Sequence, residues 1–176
     1  MFYTKNGDDG KTSIFGCDQK LSKSSAVAEA LGMLDEVNSY LGVIKSKVQN
    51  QESKALIHKI QEDLFTVQAQ TAGADKKIHD EQIEMLEKTI EKIEKEIPPI
   101  KSFIISGSNE ISALFDYART LARTAERRIV AVSEEGLAKI DTNSLRYLNR
   151  LSSFLFALAR HNAYKSGINE QSPRYE

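Results

Sequence analysis

The chain has 176 residues, enough for one domain with a sizeable core. Its 28% charged and 40% hydrophobic residues are ordinary for a water-soluble fold, and a net charge of -1 excludes general attraction to nucleic acid or acidic membranes, so any anion site must be local. The single Cys17 excludes an internal disulfide and fits a reducing compartment; no apolar run approaches the roughly 20 residues that span a bilayer, and the early Lys5-Asn6-Gly7-Asp8 leaves no room for a targeting peptide, so the expected location is cytoplasmic.

Residues 1–23 are rich in Gly, Ser, Thr, Lys and Asp and show no helical period. Gly7, Gly10 and Gly16 interrupt any regular element, so this stretch reads as an ordered loop or arm. A first helix starts near Ser24 or Ser25, either of which can cap it. Val27, Leu31, Leu34, Leu41, Ile44 and Val48 form its buried stripe, with Asp35, Asn38 and Ser39 beside it. On periodicity alone Asp35 is an exposed acid, the other reading being a buried partner for an arginine. A second helix runs from about Glu52 to Thr71, with Leu56, Ile60, Leu64 and Val67 inward and Gly73 ending it. The third has the cleanest period, Ile83, Leu86, Ile90, Ile93 and Ile97, opened by Asp80 and stopped by Pro98-Pro99.

A loop from Ile100 to Ser108 carries the apolar run Phe103-Ile104-Ile105. The fourth helix opens near Asn109 and ends near Gly136. Ile111, Leu114, Ala118, Leu121, Ala125 and Val132 make one apolar stripe, and Arg119, Arg123 and Arg127 fall nearly opposite it with Glu126 among them. Like charges four residues apart cost a few tenths of a kcal/mol per pair, which suggests a polyanion or an acidic partner. Taken alone, the stretch is better explained as a solvated outer face. The fifth helix, about Asn143 to Ser166, has apolar residues (Leu145, Leu148, Leu151, Phe154, Leu155, Phe156, Leu158) on more than one face, so it is buried on several sides. Residues 168–176 read as a loose tail. With no repeat or linker, residues 1–176 form a single all-α domain, a five-helix bundle with its helices spanning 24–167.

Three chemical motifs can be weighed. Gly7-Asp8-Asp9-Gly10-Lys11-Thr12 is not a P-loop, because two residues rather than four precede Gly-Lys-Thr and neither a buried strand nor a helix flanks it. Backbone N–H groups there, with Thr4, Lys5, Thr12, Ser13 and Lys23 nearby, could still cradle phosphates by another geometry; a plain polar arm accounts for the loop equally. A di-iron bundle needs Glu-x-x-His pairs, but Ala55, Lys76 and Leu158 precede His58, His79 and His161 by three, so these are surface or packing residues. Asn149 and Ser153 form a polar strip in the apolar fifth helix, which must face a cavity or cross to another helix.

Five segments in order resemble the PduO-type ATP:cob(I)alamin adenosyltransferases, over roughly residues 3 to 165. They are Tyr-Thr-Lys-Asn-Gly-Asp-Asp-Gly from Tyr3, Glu-Ala-Leu-Gly-Met-Leu-Asp-Glu-Val-Asn-Ser from Glu29, and Phe-Ile-Ile-Ser-Gly from Phe103. Ala-Arg-Thr-Leu-Ala-Arg-Thr-Ala-Glu-Arg-Arg from Ala118 and Leu-Arg-Tyr-Leu-Asn-Arg-Leu-Ser from Leu145 complete the set. The resemblance implies a homotrimer with ATP sites between subunits, and transfer of the 5′-deoxyadenosyl group of ATP to cob(I)alamin. It implies that Thr4, Lys5, Asn6, Gly7, Thr12, Ser13 and Lys23 wrap the triphosphate, with Mg2+ carried on the phosphates. Arg123, Glu126, Arg127 and Asn149 would complete the site from the facing subunit, with Arg119 supporting it one turn away. Asp35 would pair with Arg123 across the interface, and Phe103 would lie under the corrin ring. A flavoprotein reductase and a cobalamin-dependent acceptor enzyme are the implied partners, with no nucleic acid and no membrane.

The sequence departs from the family pattern at Thr124, usually arginine; Asn6, usually threonine; Asp9, usually lysine; and Val27, usually arginine. Ile105-Ser106-Gly107-Ser108 stands for Leu-Pro-Gly-Gly, and Ser153 for an aspartate. Positive charge is lost near the phosphate loop and one acid near the corrin end. Two other readings remain: a divergent ATP- or corrinoid-binding delivery protein without fast turnover, and a helical module whose arginine stripe docks an acidic partner.

Overall fold

A computed structural model describes residues 2–3, 5–14 and 20–175. Five helices dominate it: α1 (Ala26–Lys47), α2 (Gln51–Thr71), α3 (Asp80–Glu96), α4 (Glu110–Glu134) and α5 (Thr142–Lys165). Their starts are set locally. Ser25, Asn50, Asn109 and Asp141 each accept a hydrogen bond from the backbone N–H three residues on, satisfying a donor the helix leaves unpaired. At α3 the Gln82 side chain instead accepts from the His79 N–H at 2.8 Å. Gly73 follows α2 with φ 94°, a left-handed turn that side chains with a Cβ rarely adopt.

The helices pack in the order α2–α1–α4–α5–α3, with α4 between α1 and α5. One core runs through all five: Leu34, Leu41, Ile44, Ile60, Leu64, Leu86, Ile129, Leu151 and Phe154 are buried within it. Two polar joints tie its helices together, while the buried Ser144 Oγ has no partner among the described residues. Asn38 Nδ2 donates to Gln61 O at 3.3 Å while Gln61 Nε2 donates back to Asn38 O at 2.9 Å, tying α1 to α2. Asp63 on α2 accepts from Tyr147 Oη of α5 at 3.0 Å and from Gln82 Nε2 of α3. No helix is long and apolar enough to cross a membrane among the described residues.

The structure corrects the sequence reading in four places. The N-terminal arm contains two strands, β1 (Lys11–Ser13) and β2 (Lys20–Ser22), paired antiparallel with Thr12 opposite Leu21. Three residues are too few for a two-residue alternation to stand out; Gly16 and Cys17 lie outside the described residues. Leu31, Leu56, Leu145 and Leu158 are only half-buried, whereas Val37 and Ile57 are fully inside. Arg119 does not face solvent opposite the apolar stripe, because its side chain is only 28% exposed. Finally, the tail is docked. Glu170 pairs with Arg160 (Nη2 to Oε2 2.9 Å), and Gln171 O accepts from the Ile105 N–H at 2.8 Å. Glu170 lies beyond the end of α5, the helix that carries Arg160, and Ile105 is remote in sequence from Gln171, so no helical or strand period announces either contact.

Candidate active site

The N-terminal turn is held by its own backbone and by one lysine. Asp8 N donates to Lys5 O at 3.3 Å and Gly10 N to Gly7 O at 3.2 Å; Lys5 itself has φ 61°. Lys23 Nζ donates to Gly7 O at 2.7 Å, and a Cβ on Gly7 would lie 2.8 Å from that nitrogen, so only glycine admits the approach without a shift. Asp9 accepts from the Lys11 N–H at 3.0 Å and from Lys20 Nζ at 3.3 Å. The Lys11 N–H, and less strongly Lys20, hold its carboxyl below the usual range. Thr12, Ser13 and Lys23 line one concavity of about 370 Å3 with Ala28, Leu31 and Ala72. Lys5, Asn6 and Gly7 stand beside it in the turn; Thr4 lies outside the described residues.

A second concavity, of about 450 Å3, opens between the 100–106 loop, α4 and α5, lined by Phe103, Arg119, Arg123, Ser152, Ser153 and Phe156 among others. Phe103 is 79% exposed at its edge, so the ring is not part of the core. Arg119 stacks over the Phe156 ring at 5.8 Å and lies 3.5 Å from Asp116, and its buried Nε has no hydrogen-bond partner. Its guanidinium is thereby held along the wall by contacts from both sides. Arg123 is exposed and unpaired among the described residues.

Along the outer face of α4, Arg127 Nη2 donates to Thr124 Oγ1 at 3.0 Å. Asn149 Nδ2 donates to Glu126 Oε1 at 2.9 Å, while Asn149 Oδ1 accepts from Arg150, which also reaches Glu87 at 2.7 Å. The polar strip of α5 thus does both things open to it: Asn149 crosses to α4, and Ser153 faces a cavity. Asp35 is exposed on α1 and bonds to no described residue, as its periodicity suggests.

The predicted residues therefore form two groups. Thr12, Ser13 and Lys23 share one concavity and Phe103 and Arg123 the other, with Glu126, Arg127 and Asn149 on the neighbouring helical surface. Among the described residues the two groups line different concavities. Sequence reasoning missed Phe156 and Ser152. Phe156 is one of the apolar residues spread over more than one face of α5, and that breadth, wider than one packing face needs, is its signal. Among the described residues no cluster of three or more His, Cys, Asp or Glu side chains could hold a metal. Magnesium on a nucleotide needs none, since it keeps waters and binds through phosphates.

Residues 2–162 match the family model of cobalamin adenosyltransferase. The corrinoid adenosyltransferase PduO of Citrobacter freundii is 38% identical over 94% of this chain and 52% of its own length; the chain spans about half the length of the PduO relatives it matches. The corrinoid adenosyltransferase of Bacillus subtilis is 36% identical over 96% of this chain and 89% of its own. Among solved structures, a variant PduO-type ATP:corrinoid adenosyltransferase from Lactobacillus reuteri, complexed with cobalamin and ATP, superposes with a TM-score of 0.92 at 33% identity. It covers 99% of this chain and 100% of that one.

Proposed function

The chain belongs to the cobalamin adenosyltransferase family, and we propose that it transfers the 5′-deoxyadenosyl group of ATP to the cobalt of cob(I)alamin, releasing adenosylcobalamin and triphosphate. The observation that carries this reading is the exposed Phe103 ring at the edge of a cavity walled by Arg119 and Arg123. An apolar ring beside paired cations suits a flat macrocycle next to a polyanion.

The reaction joins two substrates. Co(I) donates its electron pair to the 5′ carbon of ATP; the Co–C bond forms, the C–O bond breaks, and its electrons leave on triphosphate. The protein's part is orientation and electrostatics. Thr4, Lys5, Asn6, Gly7, Thr12, Ser13 and Lys23 take the triphosphate with its Mg2+, and Arg123, Glu126, Arg127 and Asn149 take the nucleotide from the facing subunit. Arginine forks suit the charge that grows on the leaving group. Asp35, unpaired among the described residues, meets Arg123 across the interface. Phe103 occupies the lower face of the corrin and excludes water and the ligand base from cobalt, which favours reduction of Co(II) beforehand.

The assembly is a homotrimer. Its support is that hairpin and arginine residues line different cavities in one chain, so a complete site needs two copies. Cytoplasmic location, a flavoprotein reductase and a cobalamin-dependent acceptor enzyme complete the reading. A delivery role without fast turnover has one observation in its favour: the phosphate turn carries the carboxylate of Asp9, paired with Lys20, where the family usually has a lysine. An anaerobic assay with ATP, cobalamin and a strong reductant separates the two. Appearance of the adenosylcobalamin spectrum at catalytic protein concentration is expected; stoichiometric binding without product would overturn transfer in favour of delivery.

A further inference from the structure

The loop that carries Phe103 has no regular structure and little packing. Ile100, Ser102 and Ile104 line two cavities at once, of about 450 and about 460 Å3, one on either side of the loop. Interiors that set a conformation by packing are dense; here hydrogen bonds must do so. Those bonds run to the end of α5 and to the tail that follows it. Pro98 O accepts from Arg160 Nη2 at 3.1 Å, Ser102 Oγ lies 2.6 Å from Ser172 Oγ, and the Ile105 N–H donates to Gln171 O at 2.8 Å. The ties at 102 and 105 bracket Phe103, and both come from the tail.

The tail is itself anchored at Glu170. Its carboxylate accepts from Arg160 Nε at 3.1 Å and from Nη2 at 2.9 Å, with side chains only 11% and 19% exposed. A two-pronged charged pair shielded from water is among the strongest side-chain contacts available. Arg160 therefore sits at a junction, bonding the tail and the start of the loop together.

Resting on the transfer reading above, we infer that the tail is a strap that positions Phe103, with the Arg160–Glu170 pair as its buckle. Both are positioning residues, since neither reaches the cavity edge where Phe103 stands. Release of the buckle frees Gln171 and Ser172, and the loop then drifts into the space on either side. The expected loss is in the corrinoid step, with nucleotide binding intact.

The test uses Glu170→Ala in the full chain, with Glu170→Gln as a volume-preserving second variant should the first fold poorly. Three readings are taken: hydrogen exchange at the Ile105 amide, the four-coordinate Co(II) signal with ATP and cobalamin, and steady-state kinetics. Expected are exchange at Ile105 faster by about tenfold or more, a weakened four-coordinate signal, and lower kcat with unchanged KM for ATP. Adding Glu170→Ala to Phe103→Ala should lower kcat no further, because the strap acts through that ring. An active wild type whose Ile105 exchange and Co(II) signal are indifferent to Glu170→Ala overturns the strap alone, as do additive losses in the double variant. A wild type that makes no adenosylcobalamin overturns the transfer reading and, with it, the role given to the strap.

Discussion

Arg127 and Phe103 are both exposed, and neither contributes appreciable burial to the core. Arg127→Lys keeps the charge but loses the planar fork, and the Thr124 contact it gives up is a surface one. Folding stability should move by less than about 0.5 kcal/mol. A lost charge-assisted contact to phosphate is worth about 1.5–3 kcal/mol, so turnover should fall roughly ten- to a hundredfold; an unchanged kcat and KM for ATP would place Arg127 outside the site. For Phe103→Ala, a core phenylalanine would cost about 3–5 kcal/mol. A ring that is 79% exposed leaves no cavity, so urea unfolding should change by well under about 1 kcal/mol. The four-coordinate Co(II) signal seen with ATP in wild type should disappear in this variant, and an equal signal in both would remove Phe103 from the mechanism.

At the scale of elements, the joint between α2, α3 and α5 is polar. Tyr147 is fully buried and donates to Asp63, which also takes Gln82 Nε2. Burial raises the Asp63 carboxyl above its usual 3.8, and the bonds from Gln82 and Tyr147 offset part of that rise. The Tyr147 hydroxyl is pushed up by its own burial and then by Asp63. The folded protein therefore holds the Asp63 proton more tightly than the unfolded chain does. This contribution is fully present below pH 3.8 and fades as pH rises through the raised value. Asp63→Asn should flatten that part of the stability–pH curve, measured by urea unfolding across the acid range; an unchanged slope would show that Asp63 titrates normally. Asp63→Ala should cost about 1–3 kcal/mol for each of the two donors left without an acceptor.

For the whole molecule, the main consequence of the fold is that the residues of the proposed site line two concavities. The bundle places the hairpin beside α1 and the end of α2 and the arginines on α4, so the two groups line separate concavities among the described residues. Completion by a second copy predicts an oligomer, a trimer as the family resemblance implies, and light scattering at micromolar concentration should read the mass of three chains. A monomer that still turns over would show that one chain suffices. Mixing inactive Lys23→Ala and Arg127→Ala chains should restore part of the activity, because some interfaces would then pair an intact phosphate turn with an intact arginine face.

Helix number, order and ends were legible in the sequence because their causes are local: a 3.6-residue apolar period, a capping side chain, a glycine or proline at the stop. The five segments that mark the family were legible too, since they keep their order and spacing along the chain, three on helices, one in the N-terminal arm and one in the loop before α4. The fold alone decided that Arg119 is half-buried over Phe156, that Phe103 stands outside the core, and that the tail is bound. Each depends on where two elements meet, as when Arg160 takes Pro98 O across 62 positions or Ser102 meets Ser172 across 70. Such contacts leave no periodic trace, because a hydrogen bond between remote residues constrains only its two ends.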